Sequence, residues 1–86
     1  MRKKVTLIEQ YVINIVREKR EKLGLTQSDL AEILDVSPGF IGKIESSRYT
    51  SKYNLNHINK LSKHFNCSPR IFLPQKAFRN DRSKKD

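Results

Sequence analysis

The sequence predicts an all-α domain, and three observations lead there. Apolar residues recur at three- and four-residue spacing in separated runs, each marking one face of a helix. The runs open on residues that cap helix N-termini: Thr6, Thr26, Ser37, Asn54 and Ser68. No stretch shows the apolar–polar alternation of a half-buried strand. At 86 residues the chain makes one small domain, and its single cysteine, Cys67, excludes disulfide stapling. Helices packed around one core are the expected source of stability.

Five helices are expected. Thr6 and Glu9 form a capping box, each side chain bonding the other residue's backbone N–H. Behind it Ile8, Tyr11, Val12, Ile15 and Val16 mark an inner face, so helix 1 covers about 7–23 and Gly24 ends it. Arg17, Lys19 and Lys22 read as a solvated basic face that suits the helix C-terminus. Thr26 caps a second helix over 27–34, with Leu30, Ile33 and Leu34 facing inward and a small Ala31 that lets another helix come close. Asp35 and Val36 make a turn. Ser37 then caps a third helix, whose first position holds Pro38, where a missing N–H costs nothing. That helix ends near Ser46. The polar, basic stretch from Ser46 to Tyr53 reads as a loop. Asn54 caps a fourth helix bearing Leu55, Ile58, Leu61 and Phe65, and Asn66 ends it. Ser68-Pro69 repeats the start signal, for a short fifth helix from Arg70 to Leu73 closed by Pro74. The domain is thus residues 1–74. Residues 75–86 form a basic tail, expected to be disordered from its polar composition.

The formal net charge is +9, and about two thirds of it lies in segments 2–4 and 76–86. A basic balance favours a polyanionic partner, nucleic acid first. Met1-Arg2-Lys3-Lys4 has the charge of a signal-peptide start, but Glu9, Gln10 and Asn14 interrupt the apolar residues behind it. No stretch nears the roughly 18 apolar residues of a membrane span. A cytoplasmic protein is expected, in keeping with the lack of cysteine pairs.

Two short helices joined by a tight turn over about 27–46 make a helix-turn-helix, with Leu30, Ala31, Leu34, Val36, Ile41 and Ile44 where packing demands apolar or small residues. The stretch GLTQSDLAEILDVSPGFIGKIES resembles the repressor/Cro-type helix-turn-helix domains of bacteria and phages, the XRE family. NLNHINKLSKHFNCSPRIFL is similar to that family's fourth and fifth helices. The resemblance covers about residues 8–74 and implies a compact five-helix, lambda-repressor-like domain. It further implies double-stranded DNA as partner, with the third helix in the major groove and the second across the backbone. Gln27 would hold a phosphate. Ser37, Pro38, Gly39 and Lys43 would meet base edges. Arg48, Tyr49, Lys52 and Tyr53 would touch the next phosphates. Arg20 and Glu45 match a pair that in the family ties helix 1 to the end of helix 3. A homodimer would join through helix 5, with Phe72. Asp35 departs from the family's usual left-handed glycine, a conformation aspartate adopts more readily than most residues.

The reading face is the larger departure. Around helix 3, Ile41, Ile44 and Glu45 point one way and Gly39, Gly42, Lys43 and Ser46 the other. Phe40 lies on the flank, open to two readings: core packing, or contact with a DNA sugar or thymine methyl. Two of the chain's three glycines therefore fall on the face that would meet DNA. Either the bare face lets the backbone sit close to the groove floor, or the helix is a weak reader of low specificity.

Enzyme readings fail on inventory. No serine or cysteine has a residue beside it suited to act as its catalytic base, and there is no phosphate-cradling glycine loop. His57, His64 and Cys67 lack the fourth ligand and the tight pairing of a structural metal site, so no metal or other cofactor is expected. Cys67 and Tyr11 read as core residues. The expected function is sequence-specific DNA binding as a small transcriptional regulator. Two rivals remain: an interaction module, such as an antitoxin whose main partner is a toxin protein, and a nonspecific binder driven by the basic tail.

Overall fold

The computed structural model describes residues 5–79. Four α-helices follow one another: α1 (Leu7–Lys22), α2 (Gln27–Leu34), α3 (Pro38–Glu45) and α4 (Leu55–Phe65). The fifth element is not an α-helix but a 3-10 turn, Pro69–Phe72. Its bonds close over three residues, Ile71 N–H to Ser68 O at 3.2 Å and Leu73 N–H to Arg70 O at 3.1 Å. Prolines at 69 and 74 bracket it, and Pro74 has no N–H with which to close the next α-helical bond onto Arg70.

Each helix starts where its cap dictates. Thr6 and Glu9 exchange bonds at 3.2 and 2.9 Å, Thr26 and Asp29 at 3.0 and 2.8 Å. Ser37 Oγ accepts the Phe40 N–H at 3.2 Å, ahead of Pro38. The fourth cap pairs Asn54 with His57, whose Nδ1 accepts the Asn54 N–H at 3.0 Å. Three helices end in one way, through an N–H that reaches back five residues: Leu25 to Arg20, Val36 to Ala31 and Cys67 to Ser62, at 2.9 to 3.0 Å. That closure needs a left-handed residue, supplied by Gly24 (φ +71°), Asp35 (φ 59°) and Asn66 (φ 54°). Lys60 of α4 adds a bond to Leu34 O at 3.3 Å, placing a cation at the C-terminus of α2.

One core holds the elements together. Ile13 and Val16 of α1, Leu30, Ala31 and Leu34 of α2, Ile41 and Ile44 of α3, Ile58 and Leu61 of α4, and Phe72 of the 3-10 turn are all buried. α2 packs most extensively on α3. Burial corrects three expectations. Tyr53 lies in the core rather than on the surface of the loop. Phe72 is fully buried, so a second copy would meet its exposed neighbours Ile71 and Leu73 instead. Ile8 is exposed despite its place in the helical period, because it lies in the first turn of α1, at the edge of the packed face. Tyr11 and Cys67 are half-buried. Phe78 packs edge-on against Tyr11, with ring centroids 6.2 Å apart, so the chain returns to α1 after residue 74. Residues 1–4 and 80–86, including most of the expected disordered tail, lie outside the described residues.

Candidate nucleic-acid interface

α2 and α3 cross through Leu30, Ala31 and Leu34 on one side and Ile41 and Ile44 on the other. Those contacts fix how α3 is turned. With Ile41 and Ile44 wholly inside, Pro38, Gly39 and Lys43 are exposed and Gly42 is half-buried. Ser37 is exposed too, although its hydroxyl oxygen serves the helix cap. Phe40 is half-buried and packs against the core, its ring 5.8 Å from that of His57. Packing therefore accounts for much of its surface.

A polar cluster joins α1, α2 and α3 behind this face. Arg20 Nε donates to Glu45 Oε2 at 2.9 Å and Nη2 to Oε1 at 3.0 Å, while Nη1 donates to Leu25 O at 2.7 Å. Both side chains are nearly buried, at 11 % and 4 % exposure. The hydrogen bond to Glu45 outweighs burial and raises the Arg20 guanidinium above its ordinary value. Gln27, the first residue of α2, donates from Nε2 to Glu45 Oε1 at 3.0 Å. Its Oε1 lies 3.5 Å from the point where a Cβ on Gly42 would stand. Nothing lies within 4 Å of the equivalent point on Gly39. The protein itself has room for alanine at both positions.

The loop after α3 continues the basic surface. Lys43 Nζ sits 5.6 Å from the centroid of the Tyr49 ring, and Tyr49 and Arg48 are exposed. Lys52 instead reaches α1, with Nζ 3.3 Å from Glu9 Oε2, so it stands apart from the α3 group. Tyr53 is buried and its hydroxyl has no hydrogen-bond partner among the described residues. Burial, and then the Glu45 charge, push its phenol pKa well above the ordinary value.

Two contacts here go beyond the sequence reading. The Gln27–Glu45 bond spans 18 positions, and no periodicity or cap signal connects them. His57 had a usable signal, the Asn54-x-x-His57 spacing of a capping box, but histidine seldom fills that place. A protein-family model described as helix-turn-helix matches residues 16–72. No curated protein and no solved structure matches the chain. Among the described residues, no helix is long and apolar enough to cross a membrane.

Proposed function

The chain belongs to the helix-turn-helix family of the repressor/Cro (XRE) type, and on that premise we propose that it binds duplex DNA sequence-specifically as a small transcriptional regulator, with α3 in the major groove. One observation carries this reading. α3 buries Ile41 and Ile44 completely and leaves Pro38, Gly39 and Lys43 exposed, with Gln27 of α2 next to Gly42 and Tyr49 of the following loop next to Lys43.

Each part has a role that its chemistry supports. The α2 N-terminus and Arg48 neutralise backbone phosphates, which fixes register without reading sequence. Lys43 donates to guanine O6 or N7 in the groove. Gly39 and Gly42 let the α3 backbone approach the groove floor. Arg20 and Glu45 hold α3 at its angle from behind. Two copies would bind half-sites about 34 Å apart. Ile71 and Leu73, exposed beside the 3-10 turn, offer the apolar surface for that contact.

Repeated selection of bound molecules from random duplex DNA tests the proposal. A recovered motif, lost when Lys43 is replaced by alanine, is the expected result. Recovery of unrelated sequences with equal affinity would reject specific recognition.

A further inference from the structure

We infer that Tyr49 is a positioning residue for recognition: its ring holds the Lys43 ammonium beside α3 and so narrows which base that lysine reaches. The inference rests on the proposed docking of α3 in the groove.

α3 carries one cation, Lys43. A lysine is a point charge on a flexible four-carbon stem. Left unheld, it settles on any acceptor within reach, a phosphate as readily as a base. Selective use of such a side chain needs something that limits where the ammonium stands. Among the described residues Lys43 pairs with no carboxylate. Its neighbour is the Tyr49 ring, whose centroid lies 5.6 Å from Nζ, within the range of cation–π attraction.

The chain between the two is ordered by its own bonds. Glu45 is held by Arg20 at 2.9 and 3.0 Å. The Ser46 N–H closes the helix on Lys43 O at 3.2 Å, and Ser46 Oγ accepts the Arg48 N–H at 3.1 Å. That turn brings the next residue, Tyr49, back beside Lys43. The ring is 44 % exposed and stands outside the core cluster, so packing does not account for its placement.

A neutral ring suits this task better than a carboxylate would. It attracts the ammonium without cancelling its charge, which remains available to DNA. Guanine offers two acceptors, O6 and N7, on its groove edge. A lysine already held near one place loses less freedom on reaching them. Without the ring, Lys43 is free to turn to nearby phosphates. Attraction to DNA then persists while discrimination falls.

Site selection and duplex titration with the full chain, Lys43→Ala, Tyr49→Phe, Tyr49→Leu and the Lys43→Ala/Tyr49→Leu pair test the inference. Tyr49 and Lys43 are exposed, so all should fold. The unmodified chain is expected to prefer a G·C pair at one position, a preference that Lys43→Ala removes. Tyr49→Phe keeps the ring and should keep the preference. Tyr49→Leu should lose about two- to fivefold of the discrimination at that pair, with binding to a scrambled duplex unchanged. It should cause no further loss once Lys43 is alanine. Without DNA, the ring current of Tyr49 should move the Lys43 ε-methylene proton resonances upfield, an effect lost in Tyr49→Leu.

Three results would overturn the inference: full discrimination in Tyr49→Leu, a further loss of discrimination in the double variant, or affinity reduced alike on all duplexes in Tyr49→Phe. The last would make the hydroxyl a phosphate contact. A motif with no upfield shift at Lys43 would reject the ring contact alone. The shift without any selected motif would overturn the groove docking, and the inference with it.

Discussion

The Arg20 guanidinium grips the Glu45 carboxylate at two points, 2.9 and 3.0 Å, and so pins the last turn of α3 to α1. Both side chains are nearly out of water, and removing one partner strands the other. Glu45→Ala is expected to cost about 3–5 kcal/mol, a large part of the roughly 5 kcal/mol that holds a small domain together. Arg20→Lys keeps the charge but loses the two-point geometry and should fall in between. Urea denaturation of the two variants checks the order. A loss under about 1 kcal/mol for Glu45→Ala would mean that the pair behaves as a surface ion pair.

Tyr53 buries its ring in the core and leaves its hydroxyl without a partner among the described residues. Removing an unbonded buried hydroxyl costs nothing, so Tyr53→Phe should leave stability unchanged or raise it by about 1 kcal/mol. Tyr53→Ala should cost about 3–5 kcal/mol through the lost ring. Thermal melts of both decide it. A large loss in Tyr53→Phe would show that the hydroxyl is bonded in solution.

His57 gives the fold a pH dependence. Burial first, and the charge of Lys60 second, lower its pKa from the ordinary 6.5. A basic group with a lowered folded pKa contributes stability that is complete above its unfolded pKa and is lost as pH falls through the folded one. Protonation also takes away the Nδ1 acceptor that caps α4 through the Asn54 N–H. Stability should therefore decline as pH drops from about 7 to about 5. His57→Gln keeps an acceptor at that cap position and removes the titration. Denaturation midpoints across this window should vary less in the variant, and an equal slope in both chains would place the titration elsewhere.

Gly42→Ala separates the fold's needs from those of the interface. The added methyl meets only Gln27 Oε1, at ordinary contact distance. Helix propensity should make the variant more stable by up to about 1 kcal/mol. Close approach to the groove predicts weaker binding to the selected duplex. Higher stability with unchanged binding would leave the bare face without a role in recognition.

The helix boundaries are legible in the sequence because caps are local: Thr6, Thr26, Ser37 and Asn54 each bond a residue three positions away. So is the inner face of α3, set by Ile41 and Ile44. The last element was harder, since Ser68-Pro69 signals a helix start without saying which hydrogen bonds follow. Tyr53 sits in a polar, basic stretch, and only its burial in the core reveals that the loop folds inward there. Long-range polar contacts leave the least trace. Nothing in the local pattern around Gln27 marks Glu45 as its partner.

The outer face of α3, not the basic chain end, is expected to select the DNA. Titration of the selected duplex and of a scrambled one tests it, using the full chain, Lys43→Ala, and a chain with Arg82, Lys84 and Lys85 changed to glutamine. Lys43→Ala is expected to weaken the selected duplex more than the scrambled one. The tail changes should weaken both duplexes alike and flatten the salt dependence. Binding abolished by the tail changes but indifferent to Lys43→Ala would assign selection to the chain end instead of α3.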